Sequence, residues 1–197
     1  MNGIQGIILA GGQALRMQGR DKALLPLAGR PLIGYTIERL SPQVAALAID
    51  ANGDPERYRG FDLPVLADDP GPVSGPLRGI ITALNHWPDH PILTVAVDLP
   101  LLPRDCAQRL SQRLQSHACS YAVAGTSHAL AILWAPGALG ALMTGLDAKD
   151  LRVHSVLTRI GVPESFTATP DEDLGLNLNT PDDWACAERR LAQTPGI

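Results

Sequence analysis

The residues able to do chemistry fall in three places. The first is the run Leu9-Ala10-Gly11-Gly12-Gln13-Ala14-Leu15-Arg16-Met17-Gln18-Gly19-Arg20-Asp21-Lys22. Adjacent glycines let a backbone turn its N–H groups toward an anion, and Arg16, Arg20 and Lys22 stand here against the single carboxylate of Asp21. Glycine amides with Arg and Lys are what a polyphosphate requires. The spacing is neither GxGxxG nor a P-loop, because no GK[ST] follows; a glycine pair after a strand also makes a tight turn that binds nothing. The second is Asp98, directly after the apolar run Val95-Ala96-Val97. It can cap the next turn. Beside a phosphate-binding loop it can instead ligate Mg²⁺, which takes one or two protein carboxylates and fills its shell with water and phosphate oxygens. The third is Asn177-Leu178-Asn179-Thr180, where two alternating amides point one way from an extended segment and orient a ligand or the waters of a metal, or else form a turn and helix cap.

These clusters need a scaffold, and the chain alternates strand and helix throughout. Ile4 to Leu9 is a β-branched apolar run ending at the glycine pair, the pattern of a buried strand. A polar loop follows to about Gly29, and Pro31 opens a helix with Ile33, Ile37 and Leu40 in register. Ala46–Ile49 and Val65-Leu66 are predicted strands. Pro76 starts a helix carrying Leu77, Ile80, Ile81 and Leu84; Ile92–Val97 is a fully apolar strand; Pro103 starts a helix carrying Ala107, Leu110 and Leu114. Ser120–Ala124 and Ala129–Trp134 are predicted strands. Helices follow with Leu139, Leu142, Met143 and Leu146, then Val153, Val156, Leu157 and Ile160. Thr180-Pro181-Asp182-Asp183 begins the last, with a capping hydroxyl, Pro at the first position and carboxylates at the positive end of the dipole; Trp184, Ala187 and Leu191 are expected to face inward. Apolar strands separated by amphipathic helices give a mostly parallel, three-layer α/β/α sheet, with ligands beyond the carboxyl ends of its strands.

Composition narrows the classes. A chain of 197 residues suits one α/β domain, expected over 1–197, burying roughly 70% of its unfolded surface without staples. Apolar residues at 45% and charged residues at 18% describe a globular chain. The apolar runs are too short to span a bilayer, and Met1 to Gln5 lacks the basic and apolar regions of a secretory leader, so the cytoplasm is the expected compartment. A net charge of −4 speaks against nucleic acid as a partner. Cys106, Cys119 and Cys186 follow no metal or redox spacing and are expected to be buried free thiols. Pro88 separates His86 from His90, which rules out a helical zinc pair. Tyr35 and Trp87 are expected to pack, and His128 and His154 to be structural. All 16 basic residues except Lys22 and Lys149 are Arg, which makes a lysine inside the first cluster the more pointed.

LAGGQALRMQGRDKALLPLAGRPLI closely resembles the N-terminal signature of the MobA-like NTP transferases, and within them the molybdenum cofactor guanylyltransferases. DDPGPVSGPLRGI (Asp68 to Ile80), VAVDLPLL (Val95 to Leu102) and NLNTPDDW (Asn177 to Trp184) continue the resemblance in the family's order across the chain. It implies a Rossmann-like fold of the nucleotide-diphospho-sugar transferase type, with residues to about 100 binding nucleotide and residues from about 101 binding the acceptor. The implied reaction takes GTP and the phosphate of (Mo-)molybdopterin, with Mg²⁺, to the guanine dinucleotide cofactor and pyrophosphate. An acceptor phosphate already largely ionised at neutral pH, its second pKa being about 6, needs no protein nucleophile or strong base. It needs in-line positioning and charge neutralisation.

By the same resemblance Leu9, Ala10, Gly11 and Gly12 cradle the nucleotide and Lys22 contacts its phosphates, with Arg16 in the charge clamp. Asp98 holds Mg²⁺. Asp50 and Asp68 bind the nucleotide, where a carboxylate accepts from guanine N1–H and N2–H₂. Asn177 and Asn179 lie near the acceptor or metal. Transient contacts with molybdenum-cofactor proteins and apo-molybdoenzymes are the implied partnerships, for a protein expected to be a monomer. Four positions depart from the family pattern: Gln18 replaces Gly, Asp50 replaces Asn, Arg78 replaces a small residue, and Ala129 follows His128 where Pro is usual. Two other readings compete. One is a relative using CTP with molybdopterin, or an NTP with another small phosphorylated acceptor. The other is a domain that carries nucleotide or pterin without turnover.

Overall fold

The computed structural model describes residues 3–11, 16–17, 20–125, 127–146 and 150–193, and of residues 16, 17, 20 and 127–129 the backbone only. Seven strands form one sheet in the order β11-β9-β10-β8-β1-β6-β7. They are β1 (Gln5–Leu9), β6 (Ala46–Asp50), β7 (Val65–Leu66), β8 (Ile92–Ala96), β9 (Cys119–Ala124), β10 (Ser127–Trp134) and β11 (Gly161–Ser165). Every pairing is parallel except the two made by β10. Two small ribbons lie outside the sheet: β2 (Arg16–Met17) with β3 (Arg20–Asp21), and β4 (Pro26–Leu27) with β5 (Arg30–Pro31).

Alternation along β1 sends Ile7 and Ile8 to opposite faces. Ile8, with Ile49, Leu93, Val95 and Leu133, packs against α1 (Leu32–Leu40) and α3 (Cys106–Leu114) through Ile33, Leu40, Ala107 and Leu110. Ile7, with Leu9, Ile92, Ile132 and Trp134, packs against α2 (Pro76–His86), α4 (Leu139–Gly145) and α5 (Val153–Ile160) through Leu77, Ile80, Leu84, Leu142, Val156 and Leu157. These are the three layers expected from the alternation of strand and helix. A third cluster seats α6 (Pro181–Gln193), by Ala187 and Leu191, on Leu27, Leu32, Tyr35, Leu101 and Leu178.

Some local expectations change. Strand β6 runs one residue further than predicted and ends on Asp50. Met143, expected inward, is 50% exposed. Cys106 and Cys119 are buried free thiols, but Cys186 is only half-buried. Strand β11 was not anticipated: GVPES carries Pro and Glu and borders the sheet, where a missing N–H is tolerated. Arginines of α3 cover its outer carbonyls. Arg113 Nε donates to Pro163 O at 3.0 Å, and Arg109 donates to Ser165 O while pairing with Glu164. No helix among the described residues is long and apolar enough to cross a membrane.

The start of α6 matches its sequence signal. Thr180 Oγ1 accepts from Asp183 N–H at 3.2 Å, and Asp183 Oδ2 accepts from Thr180 N–H at 2.7 Å, a reciprocal capping box. Those bonds hold the Asp183 carboxyl below its ordinary range. Thr180→Ala is expected to cost about 1 kcal/mol, read as a lower urea midpoint at unchanged m.

Candidate active site

Strands β1, β6 and β8 end together. Leu9 pairs with Asp50 on one side and Ala96 on the other. Ala10 N–H donates to Asp50 O at 2.8 Å and Val97 N–H to Leu9 O at 3.2 Å. From β1 the chain moves outward to β6 and β7, then returns to lay β8 on β1's other flank. The direction of winding therefore reverses between β1 and β8, and at such a switch point ligands bind. Leu9–Gly11 and Asp98 occupy it.

Lys22 follows β3, in a 3₁₀ turn (Lys22–Leu24) capped by Asp21 Oδ1, which accepts Ala23 N–H at 3.1 Å. Its side chain is buried, and Nζ donates to Asp98 Oδ2 at 3.0 Å and to Asn179 Oδ1 at 3.1 Å. Asn179 is set by the α6 cap, its N–H donating to Asp183 Oδ2 at 3.0 Å and to Asn177 O at 3.0 Å. Leu178 between them is fully buried, and its N–H donates to Asp98 O at 3.4 Å. A carboxylate and an amide oxygen thus converge on one ammonium from three distant parts of the chain. Oxygen donors with a single carboxylate are a set that suits Mg²⁺ when phosphate and water complete the shell.

A second network fixes the flank toward β6 and β7. Asp21 Oδ2 accepts Tyr58 O–H at 2.7 Å and pairs with Arg57 at 3.2 Å. Arg57 also donates to Asn52 O at 2.9 Å. Asn52 Nδ2 donates to Asp68 Oδ2 at 2.5 Å, and Asp68 N–H donates to Asn52 Oδ1 at 3.1 Å. The Lys22 turn and the Asp68 loop are thereby tied through Arg57. Helix α2 holds that loop from the other side. Asp69 N–H donates to Thr82 Oγ1 at 2.7 Å, Asn85 Nδ2 donates to Asp69 Oδ2 at 2.8 Å, and the Arg78 guanidinium donates to the carbonyls of Val73 and Gly71. Arg78, which departs from the family pattern, therefore pins backbone.

Asp50 is wholly buried. A Cβ at Gly11 would lie 3.2 Å from its Oδ2, and one at Gly79 would lie 2.9 Å from its Cγ. Gly79 leaves no room for a side chain against this carboxyl, and at Gly11 one would press on it.

Of the predicted residues, the structure unites Lys22, Asp98 and Asn179 directly. It sets Leu9 at the end of β1, with Ala10 and Gly11 just beyond it, between the ends of β8 and β6, and puts Asp68 beside Asn52. Asn177 is half-buried and reaches the cluster through its backbone. Gly12 and the Arg16 side chain lie outside the described residues. Asp21, Asn52, Arg57 and Tyr58 were not singled out from sequence; GRDK for Asp21 and ANGD for Asn52 were the available signals.

A buried lysine held by a carboxylate and an amide thus lies at the switch point of a three-layer sheet, beside Leu9–Gly11. A family model described as the MobA-like NTP transferase domain matches residues 6–162, and the chain belongs to that family. A Cereibacter sphaeroides relative named molybdenum cofactor guanylyltransferase is 44% identical over 189 residues, covering 94% of this chain and 96% of its own. A Rhodobacter capsulatus relative of the same name is 45% identical over 195 residues, covering 96% and 97%. The crystal structure of molybdopterin-guanine dinucleotide biosynthesis protein A from Archaeoglobus fulgidus superposes with a TM-score of 0.74 at 19% identity, over 96% of this chain and all of that one. The fold is that of the nucleotide-diphospho-sugar transferases.

Proposed function

We propose that the protein transfers GMP from GTP to the terminal phosphate of (Mo-)molybdopterin. An acceptor phosphate oxygen bonds to the α-phosphorus, the bond from that phosphorus to the bridging oxygen breaks, and pyrophosphate leaves with that oxygen. The observation that carries the reading is the convergence of Lys22, Asp98 and Asn179 at the sheet's switch point; the guanylyltransferase relatives support the choice of substrates. Lys22 places its ammonium against the nucleotide phosphates, and the Leu9–Gly11 backbone lets them approach. Asp68 accepts from the guanine edge. Asn179, fixed by the α6 cap, orients the acceptor phosphate. Asp98, with Asn179, would hold Mg²⁺, which supplies neutralisation of phosphate charge when bound. Residues to about 100 serve the nucleotide and those beyond serve the acceptor. A monomer in a reducing cytoplasm accords with Cys106, Cys119 and Cys186 being unpaired.

The test incubates the protein with molybdopterin, Mg²⁺ and equal amounts of GTP, CTP, ATP and UTP, with mass spectrometry of the products. Guanine dinucleotide alone is expected, and none once EDTA is added. A cytosine product would overturn the donor. No product at all would leave a binding domain without turnover.

A further inference from the structure

Among the described residues, three buried oxygens beyond the ends of β6 and β7 have no hydrogen-bond partner: both carboxyl oxygens of Asp50 and Oδ1 of Asp68. A carboxylate sealed from water without a donor is among the costliest groups a core can hold. The described side chains around Asp50 donate elsewhere. Leu9 and the backbones of Gly11 and Gly79 close around it. Asn52 Nδ2 is bonded to the other oxygen of Asp68. The Tyr58 hydroxyl, on the 3₁₀ segment Pro55–Phe61, donates to Asp21 and is held protonated, its pKa raised by burial. Arg57 is engaged by Asp21 and Asn52, and Arg78 by Gly71 and Val73. A proton between the two carboxyls would pair one Asp50 oxygen with Asp68 Oδ1 and remove the charge from the oxygen left over.

We propose that Asp50 and Asp68 share a single proton, and that Asp50 is a positioning residue whose O–H holds the half-exposed Asp68 carboxylate in place to receive the nucleotide base. The second clause rests on the GTP reading above; the first does not. The pair then carries one negative charge, and the Asp68 lone pairs not used by Asp50 and Asn52 remain for an incoming donor. Burial, with the neighbouring Asp68 charge and hydrogen bond adding to it, raises the Asp50 pKa to about 8, so the proton is present at neutral pH. Above that value the two charges repel and Asp68 Oδ1 loses its donor, with Asn52 still on Oδ2.

The sign of the stability effect follows. Above pH of about 4 the unfolded chain has lost a proton that the folded chain keeps. Stability present below that pH is therefore lost progressively as pH rises, until the folded Asp50 also ionises near 8. Asp50→Asn carries a permanent N–H donor in the same shape. It is expected to melt with the wild type near pH 4 and increasingly above it toward pH 8. Whatever the two affinities are at pH 7, GTP affinity of the wild type is expected to fall about tenfold relative to Asp50→Asn between pH 7 and pH 9.

Parallel melting curves would overturn the shared proton. Diverging melting curves with parallel GTP profiles would overturn the positioning role. Failure of both proteins to bind GTP at any pH would overturn the nucleotide reading, and with it that role, while the melting curves still decide the shared proton. Should Asp50→Asn not fold, the ¹³C shift of Asp50 Cγ in the wild type decides: a titration midpoint near 8 supports the pair, and one in the ordinary carboxylate range overturns it.

Discussion

Asp98→Asn is expected to lower guanylyl transfer by about 10²–10³-fold while changing GTP affinity far less, as removal of charge aimed at a transition state does. The amide keeps an oxygen for Lys22 Nζ, now 3.0 Å from Asp98 Oδ2, so the cluster keeps its shape and loses one negative charge. Asp98→Ala is a different experiment. Lys22 is 2% exposed, and without Asp98 its ammonium retains, among the described residues, the Asn179 oxygen alone, which is expected to cost about 3–5 kcal/mol in stability. Single-turnover rates with thermal melts separate the two effects. Near wild-type transfer by Asp98→Asn would remove the carboxylate from the chemistry.

The second large effect is on the scaffold. Trp134 ends β10 fully buried, packed with Ala138 and Leu142 on the α2–α4–α5 face, and its Nε1 donates to Thr94 Oγ1 at 3.1 Å. Trp134→Ala leaves a cavity and removes the donor to Thr94 Oγ1, whose own bond to Ile132 O stays, and is expected to cost about 3–5 kcal/mol, or roughly 10 °C in Tm for a chain of this size. Transfer at temperatures where the variant stays folded should be little changed, because Trp134 lies at the end of β10 paired with Ile92, where β8 begins. Calorimetry against single-turnover rates checks both halves.

Much of the fold was legible because its strands are buried on both sides. Gly6–Leu9 and Ile92–Ala96 are buried without interruption, and continuous apolar runs flanked by amphipathic helices have few other solutions. What escaped was structure that borrows its stability. Strand β11 exists because β9 offers an edge, the ribbons β2–β3 and β4–β5 are two residues a side, and none leaves a periodic trace. Predicted helix starts at Pro31 and Pro103 ran early because the first helical turns follow the prolines, at Leu32 and Cys106.

The site divides in the same way. Residue types at strand ends pointed to Lys22, Asp98 and Asn179, but their meeting spans sequence separations of 76 and 157 residues, which no local pattern encodes. The clamp from Asp21 through Arg57 and Asn52 to Asp68 was invisible for a further reason. Arg57 and Tyr58 sit in a 3₁₀ segment, whose tighter spiral gives no lasting face to read.

The borders of the sheet carry one more consequence. One is a strand with Pro163 at its middle and arginines over its carbonyls; the other, β7, is two residues long. Unpaired strand edges are where chains stack into fibrils or recruit a neighbour's strand. With both borders blunted, the parallel core can be rich in β-branched residues without templating self-association, and another molecule seeking this protein must come to its loops and helices.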